Sequence, residues 1–384
     1  MREIKSNLHQ LKAGVIGTGF IGPVHMEALR RLGVQVVALC DVAKGAEAVA
    51  KRFGVPQFFA DHVTMLAQSG VDVVHIASPN RFHHRMALDV LRAGKHCICE
   101  KPLAMNSRET AEIVKTAAKS KTVFAVNYNI RFYPAVLQLR ALAEKGVLGE
   151  LIHVNGSYFQ DWLCKQTDYN WRLLPAEGGK LRAVADIGTH WMDAVCFIMG
   201  CPIKSVLADL FTYHTQRLRP LGEVQTYTKA ASHLKYAPYP VQTEDYASIL
   251  LQFANGARGN LAVSQVAAGR KNCLRIELYG SKKSAWWDSE NPNSIHFGNR
   301  DGWNETALRN TPGFSADLAG FTDYPNGHNE GFPDTFKMNF RCIYNAILED
   351  RNPRWFANAQ DGHQEVKVCE AIQKSHQAKA WVKV

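Results

Sequence analysis

The sequence predicts an α/β protein that combines a doubly wound parallel sheet with a following α+β domain whose sheet is mainly antiparallel. Three observations support this prediction. Over residues 12–125, short apolar runs alternate with helical segments, as they do in βαβ units. After residue 129, apolar and polar positions alternate along longer runs, which is typical of strands with one buried face. The chain of 384 residues also exceeds the length that one core usually fills, so we predict two domains, 1–129 and 130–384.

The composition is that of a globular protein with a scattered positive charge. There are 45 Lys and Arg against 35 Asp and Glu, but the basic residues stand singly or in pairs, so we expect no nucleic acid partner. The nine cysteines are odd in number and include no C-x-x-C pair, which favours reduced thiols. No apolar run resembles an export signal or a membrane span, so we expect a cytoplasmic protein without a membrane partner.

In the first half, the strands are expected to be the apolar runs and the helices the periodic segments between them. Strands that are apolar throughout are buried on both faces, and helix-length connections permit parallel pairing. The predicted strands are KAGVIGTG, VQVVALCD, VDVVHIAS, HCICE and TVFAVNY, and the predicted helices include HMEALRRLG, AKGAEAVAKRFG and HRMALDVLRAGK.

In the second half, a helix is predicted over PAVLQLRALAEKGVLGE, and strands over IHVNGSYF, EDYASILLQFANGARGNLAV and LRIELYGSKKSAWWD. Asn255-Gly256 is a hairpin signal within the second of these runs. Residues 185–200, ADIGTHWMDAVCFIMG, show the apolar period of a helix. Residues 214–240 contain several Pro, Tyr and basic positions and predict a long irregular loop.

A glycine loop follows the first predicted strand. Gly17, Gly19 and Gly22 have the G-x-G-x-x-G spacing between a strand and a helix. The first glycine permits the tight turn, the second lets a pyrophosphate approach the backbone, and the third lets helix and strand pack closely. Phe20 and Ile21 stand at the helix start, where backbone amides bind anions. The loop therefore predicts a dinucleotide-binding domain of the Rossmann type.

Asp41 follows the second predicted strand, nineteen residues after Gly22. This is about where an acidic residue reaches the ribose hydroxyls of the adenosine, and a carboxylate there repels a 2'-phosphate. We therefore predict NAD as the cofactor in preference to NADP. An acid that only caps the next helix is the alternative interpretation of Asp41.

The predicted strand VDVVHIAS ends in polar residues at the carboxyl edge of the predicted sheet, where open α/β sheets bind ligands. Ser78, Pro79 and Asn80 are expected to line the ribose and nicotinamide, with His83 on the next helix as a further cofactor contact. A solvent-facing or capping histidine is the alternative for His83.

The strand HCIC ends directly on Glu100 and Lys101. We expect these charges to project from the sheet edge toward the cofactor rather than to be buried, and Pro102 to bias Lys101 toward extended backbone geometry. An ammonium group near a substrate hydroxyl stabilises the alkoxide character that grows as hydride leaves. A surface salt bridge between the two charges is the alternative.

Asp186 and His190 are four residues apart on the predicted helix 185–200, so they share one face. An imidazole there accepts a hydroxyl proton while the carboxylate orients the substrate. A histidine with a purely structural role is the alternative. A metal site formed with Asp193 is less favoured because no cysteine or second histidine joins the group, so we predict no metal.

These motifs together resemble the Gfo/Idh/MocA family of oxidoreductases. The resemblance rests on the glycine loop, SPN, GKHCICEKPLAMN and GGKLRAVADIGTHWMDAV, and it extends over about residues 12–380. It implies that Lys101, Asp186 and His190 form the catalytic group, with His190 as general base, Asp186 as substrate anchor and Lys101 as polarising group. It also implies that the second sheet is large and open and packs against another subunit, in a homodimer or homotetramer.

The residues around the catalytic helix favour a polyhydroxyl substrate, because amides and carboxylates pair with adjacent hydroxyls and aromatic rings cover apolar sugar faces. By resemblance to sugar-oxidising relatives, His328 in the loop YPNGHNEG is a further candidate. The predicted substrate contacts, besides Asp186 and His190, are Gln160, Asp161, Trp171, Arg182 and His328.

We therefore predict an NAD-dependent dehydrogenase that reversibly oxidises a secondary hydroxyl of a sugar, glycoside, anhydrosugar or inositol to the ketone. One alternative is a glycoside-cleaving enzyme that keeps NAD tightly bound and works by transient oxidation and elimination. Another is a dinucleotide-sensing regulator without enzymatic activity, against which the three predicted catalytic residues argue.

Overall fold

The computed structural model describes residues 7–221, 235–311, 313–349 and 355–384. The chain forms two compact units. The first comprises Met1–Asn129 and Pro333–His363, and the second comprises Ile130–Phe332 and Gln364–Val384. Residues 333–363 thus lie with the first unit although they come late in the chain, which the sequence pattern did not indicate. Whether 1–129 and 130–384 fold as separate domains stays a prediction.

Helices are present in both units. They are α1 (Ile21–Arg31), α2 (Ala46–Arg52), α3 (His62–Gln68), α4 (Asn80–Arg92), α5 (Ser107–Ala117), α6 (Pro134–Glu144), α7 (Pro175–Gly178), α8 (Thr189–Met199), α9 (Phe332–Glu349) and α10 (Ala359–Ala378). Short 3-10 turns cover Asn7–Gln10, Asn129–Phe132, Trp171–Leu173 and Ala316–Phe321, and a π-helical turn covers Val184–Gly188.

The strands are β1 (Lys12–Ile16), β2 (Gln35–Cys40), β3 (Gln57–Phe59), β4 (Val73–Ile76), β5 (His96–Cys99), β6 (Phe124–Val126), β7 (Leu151–Phe159), β8 (Ile203–Phe211), β9 (Gln216–Pro220), β10 (Tyr236–Pro240), β11 (Tyr246–Phe253), β12 (Arg258–Ser264), β13 (Cys273–Gly280), β14 (Ser284–Asp288), β15 (Ser294–Gly298), β16 (Glu305–Leu308) and β17 (Val382–Lys383).

The first unit contains a six-stranded parallel sheet in the order β3-β2-β1-β4-β5-β6. Strand order reverses after β1, so the crevice at the carboxyl ends of β1 and β4 is the switch point where such sheets bind nucleotides. Every residue of β4 is buried, as expected for a strand covered on both faces. The prediction of a doubly wound Rossmann sheet is confirmed.

The second unit contains a nine-stranded sheet in the order β16-β15-β14-β13-β7-β12-β11-β8-β17. Every neighbouring pair is antiparallel except β7 and β12, so the predicted mainly antiparallel sheet is confirmed. Gly256 forms the β11–β12 hairpin with a φ of 94°, a conformation that glycine adopts without strain.

Helix α8 lies against this sheet through one close contact. The indole nitrogen of Trp191 donates to the Arg275 carbonyl at 2.7 Å. A Cβ atom on Gly156 of β7 would lie 2.1 Å from that nitrogen, so only glycine leaves the space that the indole occupies. Helix α8 is thereby fixed against β7 and β13, and the π-helical turn that carries Asp186 directly precedes it.

The expected long irregular loop over residues 214–240 is wrong in part. Strands β9 and β10 pair antiparallel within it, and residues 222–234 of the predicted loop lie outside the described residues. Pro220, Pro238 and Pro240 obscured the strand pattern, although a two-stranded ribbon tolerates proline at its edges. The buried guanidinium of Arg217, 2.8 Å from the Asp245 carboxylate, anchors the ribbon to the unit.

Across the part of the chain that the structure describes, no helix is both long and apolar enough to cross a membrane. All nine cysteines are unpaired thiols.

Candidate functional site

The glycine loop has the shape that a dinucleotide requires. Gly17 has a φ of 109°, and a Cβ atom there would lie 2.5 Å from the Ala77 carbonyl oxygen. A Cβ atom on Gly22 would lie 2.0 Å from the Gly17 carbonyl oxygen, so the helix start and the strand end touch. At Gly19, by contrast, a Cβ atom would meet no atom within 4 Å. The loop is therefore tight at its first and third glycines and open at the second, which is the arrangement typical of loops that bind a pyrophosphate.

Asp41 is bonded to the glycine loop. Its Oδ2 atom accepts hydrogen bonds from the Thr18 amide and the Thr18 hydroxyl, both at 2.6 Å. Its Oδ1 atom accepts from the Ala43 amide at 2.8 Å, a local turn contact. Asp41 remains half-buried, and its partner Thr18 was missed by the sequence analysis. Phe20 is exposed beside the loop, and Ile21 begins α1.

His83 joins the two loops that end β4 and β5. Its Nδ1 atom lies 2.8 Å from the Pro102 carbonyl oxygen, and its Nε2 atom lies 2.9 Å from the Ser78 carbonyl oxygen. The ring is fully buried, and this burial lowers the pKa of His83 although both carbonyl groups oppose the shift. Through these contacts His83 supports both strand-end loops, and its direct contact with the cofactor stays a prediction.

The SPN turn itself combines a half-buried start with a buried end. Ser78 and Pro79 are half-buried, and the Ser78 hydroxyl lies 3.3 Å from the Met86 sulfur. Pro79 precedes α4, and the buried Asn80 is its first residue. The three residues thus lie at the carboxyl end of β4, as predicted.

Glu100 points into the first unit. The expectation that the charges at this strand end project from the sheet is wrong for Glu100, which is 7% exposed. Its Oε1 atom lies 2.9 Å from His25 Nε2 and accepts a hydrogen bond from the Asn127 side-chain amide. Burial alone would raise the pKa of Glu100, but His25, the Lys101 charge and the Asn127 amide outweigh it and lower the pKa to about 2. The carboxylate is ionised although it is buried.

Lys101 follows directly and is half-buried, and the Lys101–Pro102 peptide bond is cis. Its backbone amide donates to Glu100 Oε2 at 3.3 Å. The Glu100 side chain at the end of β5 therefore holds the backbone of Lys101.

In the second unit, Asp186 lies in the π-helical turn and His190 lies in the first turn of α8. Such π-helical turns occur frequently at functional sites. Both side chains are nearly buried, with 9% exposure each. Asp186 Oδ1 lies 3.0 Å from Arg172 Nε, and its Oδ2 atom accepts from the Gln265 amide at 2.8 Å. Two partners thus fix the orientation of this carboxylate.

A wall of polar and aromatic groups continues from His190. The ring centroids of His190 and Tyr158 are 6.4 Å apart, and the Tyr158 hydroxyl donates to the Asn272 side-chain carbonyl at 2.6 Å. The same Asn272 oxygen accepts from the Gln160 amide at 2.9 Å, and Gln160 accepts from Trp162 at 2.8 Å. The predicted substrate contact Gln160 is therefore connected to His190 through Asn272 and Tyr158.

Arg182 is fully buried and is connected to Asp186 through Gln265. Its guanidinium donates to the Gln265 side-chain carbonyl at 2.7 Å and to the Asp245 carboxylate, which also accepts from Arg217. Burial alone would raise the pKa of Asp245, but the two guanidinium groups and the His214 amide lower it. Arg182 thus orients Gln265, which in turn holds Asp186.

The remaining predicted contacts lie in different surroundings. The Asp161 carboxylate pairs with the exposed Lys271 at 2.6 Å. Burial raises the pKa of Asp161, but Lys271 and the Gly269 amide outweigh burial, so that the pKa is lowered. Trp171 stacks with the Arg172 guanidinium, 4.5 Å from the ring centroid. His328 is exposed in its loop.

Asp193, considered with Asp186 and His190 as a metal ligand, is bound by a cation. Its two oxygens lie 2.8 Å and 2.5 Å from the Arg131 guanidinium. A carboxylate bound in this bidentate way has its charge already balanced.

Known proteins match the chain over both units. The family model described as the oxidoreductase family, NAD-binding Rossmann fold, GFO_IDH_MocA, matches residues 11–128, and the GFO/IDH/MocA C-terminal domain model matches residues 136–286. Levoglucosan dehydrogenase of Pseudarthrobacter phenanthrenivorans is 27% identical, and the match covers 98% of this chain and 99% of the relative. D-glucoside 3-dehydrogenase of Escherichia coli is 31% identical over 64% of this chain and 68% of its own length.

Among solved structures, levoglucosan dehydrogenase in complex with NADH and levoglucosan superposes with a TM-score of 0.86 at 26% identity. The superposition covers 97% of this chain and 99% of that structure.

Proposed function

This chain belongs to the Gfo/Idh/MocA oxidoreductase family, and on that premise we propose that it oxidises a secondary hydroxyl of a sugar, glycoside, anhydrosugar or inositol to the ketone. It is an NAD-dependent dehydrogenase, consistent with relatives named as dehydrogenases of levoglucosan and D-glucosides and with the similar levoglucosan dehydrogenase structure solved with NADH. The observation that carries the proposal is that one chain combines an open Gly19 in the nucleotide loop with a buried and doubly held Asp186 beside the histidine helix.

The cofactor side of the proposal rests on the first unit. The amides around Gly19 would hold the pyrophosphate, and Asp41 would accept hydrogen bonds from the adenosine ribose. The two bonds from Thr18 engage Asp41 Oδ2, and the Ala43 amide engages one acceptor site of Oδ1, so the second site of Oδ1 would make this contact. When bound, NAD supplies the hydride acceptor.

On the substrate side, we assign His190 as the base that removes the hydroxyl proton. Asp186 accepts a hydrogen bond from a neighbouring substrate hydroxyl, with its carboxylate oriented by the side chains of Arg172 and Gln265. Lys101 donates to the reacting oxygen and stabilises its developing negative charge. The aromatic and amide groups of the wall around Tyr158 and Gln160 suit a polyhydroxyl ring.

The substrate range is the finer part of the proposal. The relatives are named for levoglucosan and D-glucosides, which carry secondary hydroxyls on a six-membered ring, as inositols do. The experiment incubates dialysed protein with levoglucosan, methyl glucosides, aldoses and inositols, each with NAD and with NADP, and follows reduced nicotinamide and the ketone product. We expect turnover with at least one compound and added NAD. Cleavage of a glucoside without added NAD would instead support an enzyme that keeps its NAD bound.

We further propose that the protein is cytoplasmic and works as a homodimer or homotetramer. The unpaired thiols support a reducing compartment, and the family resemblance supports the assembly. Light scattering of the purified protein tests the assembly, and a monomer at working concentration would contradict it.

A further inference from the structure

A line of buried polar side chains runs through the first unit behind Lys101. His25 of α1 lies 2.9 Å from Glu100 through its Nε2 atom and 3.0 Å from His75 Nδ1 through its own Nδ1 atom. The other nitrogen of His75 lies 3.0 Å from the Tyr344 hydroxyl on α9. Both imidazole rings are fully buried. The strand end that carries Lys101 is thus connected to groups on three other elements.

The chemistry of these groups fixes the direction of each hydrogen bond when both rings are neutral. An ionised Glu100 can only accept, so His25 Nε2 carries the proton and donates to it. His25 Nδ1 is then an acceptor, His75 Nδ1 donates to it, and His75 Nε2 accepts from the Tyr344 hydroxyl. Every bond in the line has one donor and one acceptor, and the line ends on the Glu100 carboxylate.

The other side of Glu100 is equally constrained. The Asn127 side-chain amide donates to Glu100 Oε1, and the Asn127 carbonyl accepts from Asn339 at 2.8 Å. Glu100 Oε2 accepts from the Lys101 backbone amide at 3.3 Å. Glu100 is therefore the point at which the buried line meets the backbone of the proposed catalytic lysine.

We propose that His25 is a positioning residue for the proposed hydride transfer, because it holds the Glu100 carboxylate in the ionised and oriented state that fixes Lys101. This inference rests on the proposed function, in which Lys101 contacts the reacting oxygen. His25 itself touches neither substrate nor cofactor in this account, and it acts through Glu100.

The charge balance around Glu100 supports the role of His25. Burial favours the neutral acid, and the hydrogen bond from His25 is the next largest influence on the pKa of Glu100, ahead of Lys101 and Asn127. Without the His25 donor, the remaining two partners oppose the burial, and the pKa of Glu100 rises. The titratable groups around Glu100 come from five elements and from the residue that follows it. They are His25 on α1, His75 on β4, His83 on α4, Cys99 on β5, Tyr344 on α9, and Lys101.

Two variants separate the contact with Glu100 from the contact with His75. In His25→Gln, the amide nitrogen reaches the place of Nε2 and still donates to Glu100. In His25→Asn, the shorter amide reaches only the place of Nδ1, so it meets His75 and leaves Glu100 without this donor. Each variant loses one of two bonds, so each serves as the stability control of the other.

The measurement is kcat against pH for both variants and the wild type, with NAD and the best substrate of the panel. Near pH 6 we expect His25→Asn to turn over about tenfold or more slowly than His25→Gln, and we expect the difference to shrink toward about pH 9, where Glu100 ionises again. A His25 that only supports the fold would give a difference that is independent of pH, and this result, or equal rates, would overturn the inference.

The inference and the proposed function fail in distinguishable ways. If the wild type oxidises a substrate and the two variants behave alike, the function stands and the inference is wrong. If the wild type oxidises nothing and binds no NADH, the function is wrong and the positioning role fails with it, and thermal unfolding of the variants then tests only whether His25 keeps Glu100 ionised.

If the pKa of Glu100 is higher in the folded than in the unfolded protein, the free energy of unfolding falls as the pH rises from the unfolded-state pKa through the folded-state pKa. His25→Asn is then expected to melt increasingly below His25→Gln between about pH 5 and pH 8. A difference in melting temperature that stays constant over this range would overturn the role assigned to His25.

Discussion

The glycine loop allows folding and cofactor binding to be separated by two substitutions that each add one methyl group. In Gly22→Ala, the new Cβ atom would lie 2.0 Å from the Gly17 carbonyl oxygen, which is backbone and cannot move aside as a side chain does. Overpacking of this kind costs about 1–3 kcal/mol, and we expect the upper end because the obstacle is backbone. For a domain of about 150–250 residues, that corresponds to a melting temperature lower by about 6–12 °C.

In Gly19→Ala, the new Cβ atom meets nothing within 4 Å, and φ at Gly19 lies outside the left-handed region. The melting temperature is expected to stay the same or to rise slightly, because alanine restricts the unfolded chain by about 0.4–1 kcal/mol relative to glycine. The methyl group would, however, occupy the side from which a pyrophosphate approaches. We expect NADH to bind about tenfold or more weakly, a loss of at least ~1.4 kcal/mol.

The assay for both variants is thermal unfolding followed by titration with NADH, monitored by nicotinamide fluorescence. The wild type and Gly19→Ala should unfold alike and bind NADH differently. If Gly19→Ala bound NADH as the wild type does, the pyrophosphate would not pass over this loop, and the assignment of the cofactor site would be refuted. If it unfolded as early as Gly22→Ala, the open space at Gly19 would be refuted.

Three further substitutions and one pH series test the remaining assignments. Asp41→Ser should raise kcat/KM with NADP relative to NAD by about tenfold, because a carboxylate no longer repels the 2'-phosphate, and an unchanged ratio would exclude the ribose contact. Lys101→Ala should lower kcat by about a hundredfold or more while NADH affinity stays within about twofold, and undiminished turnover would remove Lys101 from the mechanism. Arg172→Met should raise the KM for the substrate about tenfold with NADH binding intact, because Asp186 loses its contact with Arg172, and an unchanged KM would show that Arg172 does not orient it. Glu100 has a pKa of about 2, so its contribution to stability is complete above about pH 4.5 and is lost as the pH falls toward 2. The melting temperatures of the wild type and Glu100→Gln should accordingly converge over that acid range, and parallel curves would contradict the lowered pKa.

The strands of the first unit were predictable from the sequence because their signals are local. The run VDVVHIAS is apolar throughout, and β4 is buried along its whole length. The placement of α9 was not predictable, because Phe336, Phe340 and Tyr344 pack around His25 and His75 across some three hundred residues of intervening chain. Helical periodicity shows which face of a helix is apolar, but it does not show which sheet that face covers.

The candidate site likewise contains residues that the sequence predicted and residues that it did not. Asp186 and His190 were found because they are four residues apart, a spacing that places them on one face of a helix. Their surroundings were missed, because Gln265 and Arg172 reach Asp186 from a strand end and a 3-10 turn. Glutamine and arginine are common on protein surfaces, so neither residue carried a signal of its own.

Glu100 shows why the charge of a residue does not by itself reveal whether its side chain is buried or exposed. A charged pair at a strand end is usually exposed, because burial of an isolated charge is costly. Here His25 and Asn127 supply the donors that offset the burial. Both lie far from Glu100 in the sequence, so the pattern GKHCICEKP contains no trace of them.

The most direct test of the account is to follow hydrogen from substrate to cofactor. The substrate identified in the panel is synthesised with deuterium on the carbon that bears the reacting hydroxyl, and the dialysed protein is incubated with it and NAD. Mass spectrometry of the nicotinamide product should find one deuterium in NADH and a ketone in the sugar product. NADH without deuterium would contradict transfer from that carbon, and the absence of NADH with every compound of the panel would contradict the proposed dehydrogenase itself.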